Sequence, residues 1–578
     1  MSDKTHDETA FLADIARRQQ RNWPAQVPRD VAFPYGEAPV SEYLRARARE
    51  QRDATAIVFY GRRVTYGELD DWSDRCAALL HARGVRAGDR VGMMLGNCPQ
   101  VHIVFYGILK LGAVYVPVNP LFKEAELLHE LNDAGVQTLI VQDSLVPLVR
   151  SVEPVQPVRA LFSTHLGAWL PARPEIALPA GLDAPYQPAE GVENLLDLLA
   201  AQASPAPRID PDPDAPAALN YTGGTTGLPK GCIHTQRDMV YTLAAAATMN
   251  GVLGADGRPV DPNDVSLNFL PMFWIAGENA GLLMPIVSGT PLVLLARWDP
   301  LAFLQAVERY RVAHVFLVVD NALELMARPD FGSFDLRSLK SARVASFVRK
   351  LTPEIRAQWL ERTGTVMAEG AWGMTETHTS DTFTNGMQEG DRDLLGRPGF
   401  VGLPMPGTHF KICDFDTGEL LPLGAEGEIV VRTPSLFKGY WNRPDATAEA
   451  VRDGWFHTGD IGAYDEEGCL HYLGRRKEML KVKGMSVFPS EIEALLGFHP
   501  EVLGSAVVGR ADADKGQVPV AFVRLQPGAQ VDAEALRAWC KAQMATYKVP
   551  EIRIVDAWPM TATGKVQKHK LQEEVAQG

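Results

Sequence analysis

Apolar and polar positions along residues 41–149 alternate between two periods. EYLRARAREQ (42–51) and ELDDWSDRCAALLHARG (68–84) repeat apolar residues every three to four positions and predict amphipathic helices, the second ended by Gly84 in the C-cap role. RVGMML, AVYVPV and TLIVQ are short apolar runs that predict buried strands, so this stretch has an α/β rhythm. Residues 171–189 are rich in Pro, Gly and Ala and read as loop. SPAPRIDPDPDAPA (204–217) holds five prolines, which exclude regular helix or strand and make it an extended lead-in to AALNYT. A second α/β stretch follows, with strands LVLLA and HVFLVV and helices near 301–310 and 353–362. Denser Gly and Pro over 397–431, with the strands HFKICDF and EGEIVVR, predict a β-rich subdomain. The last hundred or so residues read as a small α+β unit. It has strands GSAVVG and VPVAFVRL, the helix AEALRAWCKAQM, the strand EIRIVDA, and a capping box of Ser490 and Glu493 behind Pro489.

Composition changes this picture only a little. The 578 residues are 46% apolar and 22% charged, which excludes disordered and fibrous classes and suits roughly three to four domain-sized units. Lys+Arg 57 against Asp+Glu 71 gives a net charge of −14, which argues against nucleic acid as a partner. Within this acidic chain, basic residues cluster over 475–484 and at Lys565, Lys568 and Lys570, where a polyanionic ligand would be held. The six cysteines form no C-x-x-C and no zinc-ligand spacing, which predicts reduced thiols and a cytoplasmic protein. The N-terminus has acidic residues and no apolar core, unlike a signal peptide, and the apolar run 280–296 is too short and broken to span a bilayer. Peripheral membrane contact and a homodimer stay open.

The strongest local signal is YTGGTTGLPKG (221–231), between a strand-like and a helix-like segment. Its glycines, threonines and lysine suit a loop whose N–H groups and hydroxyls cradle phosphates. It is not a Walker loop, because Leu228 and Pro229 separate Gly227 from Lys230 and no Ser/Thr follows the lysine. The loop resembles the signature of the adenylate-forming superfamily, which holds acyl-CoA synthetases, peptide-synthetase adenylation domains and beetle luciferases. Further motifs match in order: GAWGMTET (370–377), GWFHTGD (454–460), GRRKEMLKVKGMSVFPSEIE (474–493) and TATGKVQK (561–568). With TYGEL and GAVYVPVNP upstream, the resemblance covers about residues 40–572.

The resemblance implies an α/β fold: a large N-terminal body (1–476) of two α/β subdomains and a β-rich one, and a small mobile α+β C-terminal domain (477–578). It implies ATP, Mg²⁺ and CoA as cofactors and cosubstrates, with a small carboxylic acid as substrate. Thr222, Gly223, Gly224, Thr225, Thr226, Gly227 and Lys230 would cradle phosphates. Glu376, with Thr225, would hold Mg²⁺, as suits a hard cation that takes few carboxylates. Gly370, Ala371, Trp372, Gly373 and Thr375 would line the nucleotide, with Trp372 against adenine and Thr375 on the α-phosphate. Asp460 and Arg475 would hold the ribose. Lys565 would bridge substrate carboxylate and α-phosphate, so Lys565, Glu376 and Lys230 are the expected catalytic set. Lys477 falls at the family's hinge, about which the small domain turns between half-reactions. Gly484 would line the pantetheine tunnel, and Lys481 would serve the thioester-forming arrangement.

Two departures bear on substrate. PMFWIAG (271–277) has Trp274 where the family often has His, and lacks the Asp that amino-acid-activating members place there. FVRKL (347–351) stands where the family has Gly-Gly-Ala-Pro-Leu, so Phe347 and Val348 would narrow a pocket shared with Phe273 and Trp274. Arg349 would present a cation to a polar substrate group, or else the loop repacks and Arg349 faces solvent. The reading is an AMP-forming acid:CoA ligase for an apolar, fatty or aromatic acid. The alternatives are an adenylating ligase with a carrier-protein thiol or an amine as acceptor, and an inactive homologue that only binds.

Overall fold

The computed structural model describes residues 2–153, 155, 157–202, 208–222, 228–346, 349–396, 399–482, 485–512, 514–561 and 565–577. The predicted helices are present as Val40–Glu50 and Tyr66–Ala82. The second begins at Thr65, whose hydroxyl accepts from Glu68 N while the Glu68 carboxylate accepts from Thr65 N, both at 3.1 Å. It ends at Gly84, which takes φ +92°, the left-handed conformation that makes glycine the favoured residue after a helix.

The strands read from apolar runs assemble into two layered α/β units. The first sheet runs Gly231–Thr235, Pro216–Tyr221, Val114–Pro117, Arg90–Met94, Thr138–Gln142, Ala160–Thr164 and Glu193–Asn194, parallel except for the first pair. The second runs Met367–Glu369, Ser341–Ala345, His314–Val318, Ser266–Asn268, Leu292–Leu294, Thr55–Phe59 and Arg62–Thr65, parallel except for the last pair. One apolar core joins the two sheets. Its central helix, Pro99–Lys110, is buried at every position, as its nearly unbroken apolar sequence requires. Lys110 is the exception in chemistry. Its ammonium is met by Asp70 Oδ1 at 2.5 Å, Asp74 Oδ1 at 2.8 Å and Ser73 Oγ at 2.8 Å. An unpaired ammonium would not be tolerated there.

The β-rich subdomain is an antiparallel sheet containing Phe400–Pro404, Leu470–Arg475, Trp455–Tyr464, Gly427–Arg432 and His409–Cys413. The chain then passes through a single turn, Arg476–Glu478, into the small domain's sheet. That sheet holds Leu480–Val482, Met485–Val487, Val502–Asp512, Gly516–Leu525 and Glu551–Ile554. The large α/β body and the smaller C-terminal domain therefore have the expected architecture.

Three details differ from expectation. The N-terminus forms a helix, Ser2–Asn22, which packs Phe11 and Ile15 against the β-rich subdomain. The expected Ser490/Glu493 capping box is absent. The helix Pro489–Leu496 starts two residues earlier, capped at Phe488 with Pro489 at its first position and the Glu491 carboxylate accepting from Phe488 N at 3.0 Å. Ser490 Oγ instead donates to Leu473 O, and Glu493 accepts from Val507 N at 2.8 Å. Finally, the apolar run near 280–296 is divided among a π-helical turn Glu278–Leu283, a helix Met284–Ser288 and a strand Leu292–Leu294. Among the described residues no helix is long and apolar enough to cross a membrane. All six cysteines are buried, and burial pushes Cys76 and Cys98 up to about 12, far from the range of a reactive thiolate.

Candidate active site

Two groups of side chains face each other where the three sheets and the small domain meet. The first stands at the neck of the Gly-rich loop. Thr222 N donates to Lys230 O at 2.9 Å and Lys230 N to Thr222 Oγ1 at 3.3 Å, continuing the antiparallel pairing of the flanking strands. Lys230 Nζ lies 4.4 Å from the centroid of the Tyr440 ring. The Tyr440 hydroxyl donates to Glu376 Oε1 at 2.8 Å, and Phe437 N donates to Glu376 O at 2.8 Å. Burial, with the Glu376 charge beside it, pushes the Tyr440 hydroxyl well above the usual phenol range, so it stays a donor.

The turn that carries Glu376 is tightly built. Gly370 N donates to Val344 O at 2.6 Å, and His234 Nε2 bonds Thr375 O at 2.7 Å. His378 and Thr379 follow with φ +60° and +72°, two consecutive side-chain-bearing residues in the left-handed region, a strain retained where geometry matters. A Cβ on Gly373 would lie 2.2 Å from the Thr379 carbonyl carbon, so no side chain fits. Gly373→Ala is accordingly expected to cost about 1–3 kcal/mol of stability and to displace Glu376. A melting temperature and turnover both equal to wild type would contradict that.

The second group lies on the β-rich subdomain. Asp460 and Arg475 face each other on paired strands, with Arg475 Nε 2.7 Å from Asp460 Oδ1. Trp372 Nε1 donates to Asp460 Oδ2 at 3.1 Å, and Arg475 Nη1 donates to Thr458 O at 3.2 Å. Burial pushes the Asp460 carboxyl up to about 6 against the opposing pull of Arg475 and Trp372. Burial alone would lower Arg475, but Asp460, Glu376 and Glu478 outweigh it and hold its charge. Glu376 acts on both Asp460 and Arg475, which places the two groups in one electrostatic neighbourhood.

Lys565 enters this neighbourhood from the small domain. Thr561 N donates to Lys565 O at 2.7 Å and Lys565 N to Thr561 Oγ1 at 3.0 Å. The side chain keeps exposed surface yet is crowded on its other sides, the condition of a group in a cleft. Desolvation there and the Arg475 charge lower its ammonium, while Asp460 and Glu478 oppose them. Lys477, in the connecting turn, is lowered by the same two causes. Lys568 pairs with Glu493 at 2.7 Å and Glu478 at 3.3 Å. Lys481 is exposed on its strand, with its backbone N–H on Gln517 Oε1 at 2.8 Å.

The structure therefore gathers Lys230, Gly370, Gly373, Thr375, Glu376, Asp460, Arg475 and Lys565. Ala371 is exposed beside them. Gly223, Gly224, Thr225, Thr226, Gly227, Phe347, Val348 and Gly484 lie outside the described residues. Phe273 and Trp274 stand edge to face, 5.2 Å apart and partly exposed, before the short helix Ile275–Gly277. Trp372, expected against adenine, is 6% exposed, packs edge-on against Phe410 and braces Asp460. Arg349 does not face solvent. It lies 3.8 Å from Asp320 and reaches Gln526 Oε1 of the small domain at 3.4 Å. Tyr440 is the contributor that motif reading overlooks, because KGYWN carries no pattern beyond an ordinary turn. Among the described residues no group of three or more His, Cys, Asp or Glu is placed to hold a metal ion. A single buried carboxylate at Glu376, beside a lysine, matches instead a cation that shares phosphate oxygens.

The AMP-binding enzyme model matches residues 44–441, and the AMP-binding enzyme C-terminal domain model matches residues 491–565. The long-chain-fatty-acid–CoA ligase of Bacillus subtilis is 32% identical over 96% of this chain and 98% of its own. The 4-coumarate–CoA ligase 2 of Oryza sativa is 31% identical over 95% of this chain and 94% of its own. A solved anthranilate CoA ligase in complex with anthranoyl-AMP superposes with a TM-score of 0.79 at 26% identity, covering 95% of this chain and 98% of that one. Two domain models in order and relatives aligned over nearly their full length agree with the clefted two-domain fold: the chain belongs to the AMP-binding enzyme family, the adenylate-forming superfamily, and within it to the AMP-forming acid–CoA ligases.

Proposed function

We propose that this cleft activates an apolar or aromatic carboxylic acid with ATP and passes the acyl group to CoA. The substrate carboxylate attacks the α-phosphorus, the bond to pyrophosphate breaks, and acyl-AMP forms. The CoA thiolate then attacks the acyl carbon and AMP leaves. Lys565, brought by the small domain to Asp460 and Arg475, is the observation that carries this reading. Its ammonium offsets negative charge where carboxylate and α-phosphate converge. Lys230, with the Thr222 to Gly227 loop, holds the β- and γ-phosphates, and Thr375 bonds the α-phosphate. Asp460 accepts from the ribose hydroxyls and Arg475 orients it. Asp460 Oδ1 is ion-paired but accepts no hydrogen bond, which supports that role.

Glu376 and Thr225 would hold Mg²⁺, which when bound supplies positive charge against the phosphate oxygens. Tyr440 keeps the Glu376 carboxylate oriented. The small domain, from 477 onward, turns about Lys477 between the two steps, withdrawing Lys565 and bringing Lys481 and Gly484 to the thiol's path. The single turn Arg476–Glu478 between the sheets supports a hinge there. Phe273 and Trp274 favour an apolar or aryl acyl group. The test is pyrophosphate release over a panel of fatty and aryl acids, each with and without CoA. Acid-dependent release together with acyl-CoA formation is expected. No release with any acid would overturn the ligase reading, and acyl-AMP accumulating unchanged in the presence of CoA would overturn the acceptor.

A further inference from the structure

The N-terminal helix Ser2–Asn22 precedes both segments matched by the family models, which begin at residues 44 and 491. Phe11, Ile15, Arg18, Gln19 and Asn22 follow the three-to-four spacing that puts side chains on one helix face. The apolar half of that face is buried: Ile15 is 3% exposed, and the Phe11 ring lies 6.4 Å from that of Tyr464. Ile15 belongs to the same apolar cluster as Trp372, Phe410 and Tyr464. The polar half meets the turn 465–468. Arg18 Nη1 donates to Glu466 O at 2.8 Å, Asn22 Nδ2 to Glu467 O at 3.0 Å and Gln19 Nε2 to Gly468 O at 3.1 Å. Asp14 Oδ2 accepts from Arg18 Nε at 2.8 Å and aims its fork at the turn. Three side chains thus take three consecutive main-chain carbonyls, groups that an exposed hairpin turn otherwise leaves to water. Gly468 has φ +82°, and a Cβ there would lie 3.0 Å from Gln19 Cγ, so the helix lies flush on the turn.

That turn joins the strands Trp455–Tyr464 and Leu470–Arg475, on which Asp460 and Arg475 face each other. We propose that the N-terminal helix is a clasp on this hairpin, with Arg18, Gln19 and Asn22 as positioning residues that raise affinity for adenine nucleotides without touching them. Two routes converge on Asp460. One is the ladder that runs from the clasped turn to the Asp460–Arg475 pair. The other is the apolar cluster that seats both Ile15 and Trp372, whose indole donates to Asp460 Oδ2 at 3.1 Å. A hairpin held only by its own turn keeps freedom that a nucleotide must remove on binding. Fixing the turn from outside removes that freedom beforehand, so less ordering opposes binding. The inference rests on the assignment of Asp460 and Arg475 to the ribose.

The experiment combines Arg18→Ala, Gln19→Ala and Asn22→Ala, which removes the donors and leaves Phe11 and Ile15 in place. Calorimetry with ATP, AMP and pyrophosphate then needs no acid substrate. The variant is expected to bind ATP and AMP about three- to tenfold more weakly, with pyrophosphate, which carries no ribose, within about twofold of wild type. Adding the same three substitutions to Asp460→Ala should weaken ATP binding by no more than about twofold, because the clasp acts through that residue. If the triple variant does not fold, the pair Gln19→Ala and Asn22→Ala carries the same comparison. A helix that only stabilises would lower the melting temperature and leave all three affinities alone. That outcome, or an equal loss for pyrophosphate, overturns the clasp. If Asp460→Ala binds ATP as tightly as wild type, the ribose reading fails separately. Amide hydrogen exchange over 459–461 and 473–475 then decides the clasp: faster exchange in the triple variant supports it, and exchange equal to wild type overturns it.

Discussion

Lys565→Ala is expected to lower acyl-AMP formation by about 10²–10⁴-fold while acyl transfer from supplied acyl-AMP to CoA stays within a few-fold of wild type. The asymmetry follows from where the residue sits. Lys565, tied to Thr561, sits beside the Asp460–Arg475 pair on a domain joined to the body by the single turn Arg476–Glu478. A cation so delivered would act in this arrangement and would leave if the small domain turns between the two steps, as proposed above. Because desolvation and Arg475 hold its ammonium below the ordinary lysine value, the alkaline loss of adenylation should begin at lower pH than for a free lysine. The charged form is the active one, so activity falls as pH rises through that lowered value and does not recover above it. Lys565→Arg, which keeps charge across this range, should move the limb upward while restoring little of the rate, since a planar fork does not replace a compact ammonium. Pyrophosphate release and single-turnover thioester formation, measured separately, check both claims. Equal loss of the two half-reactions would remove Lys565 from the first.

What could be read from the chain divides along the range of the interactions. Apolar runs are local and gave their strands directly, as did Gly84, since a helix stop depends on one residue's backbone freedom. Motif residues were legible because phosphate chemistry needs fixed residue types at short spacing. The Ser490/Glu493 capping box had the right spacing, but its two side chains had better partners elsewhere, Leu473 O and Val507 N. A local rule loses when tertiary contacts offer each group a stronger bond. Trp372 and Arg349 likewise take distant partners, one Asp460, 88 residues on, and the other Gln526, 177 residues on.

Asp460→Ala is expected to raise the KM for ATP by about 10–100-fold, because a buried carboxylate that accepts from a sugar hydroxyl contributes about 1.5–3 kcal/mol. It also strips Arg475 of its partner. That guanidinium keeps 36% of its side-chain surface, so solvent screens the loss and the stability cost should be only about 1–2 kcal/mol. Asp460→Asn separates charge from shape, since the amide oxygen can still accept from Trp372. In the wild type the carboxyl is raised from its ordinary value to about 6, which means the folded chain binds this proton more tightly than the unfolded chain does. Its stabilising contribution is therefore complete below about pH 4 and is lost as pH rises through 6. The stability of wild type minus that of Asp460→Asn should decline across that window and be flat on either side. ATP affinity should run the other way, improving in wild type as Asp460 ionises near pH 6 and staying level in the asparagine variant. Denaturation and nucleotide titrations between pH 4 and 8 measure both curves. Parallel pH profiles for the two proteins would show that Asp460 is not the group that titrates beneath the nucleotide.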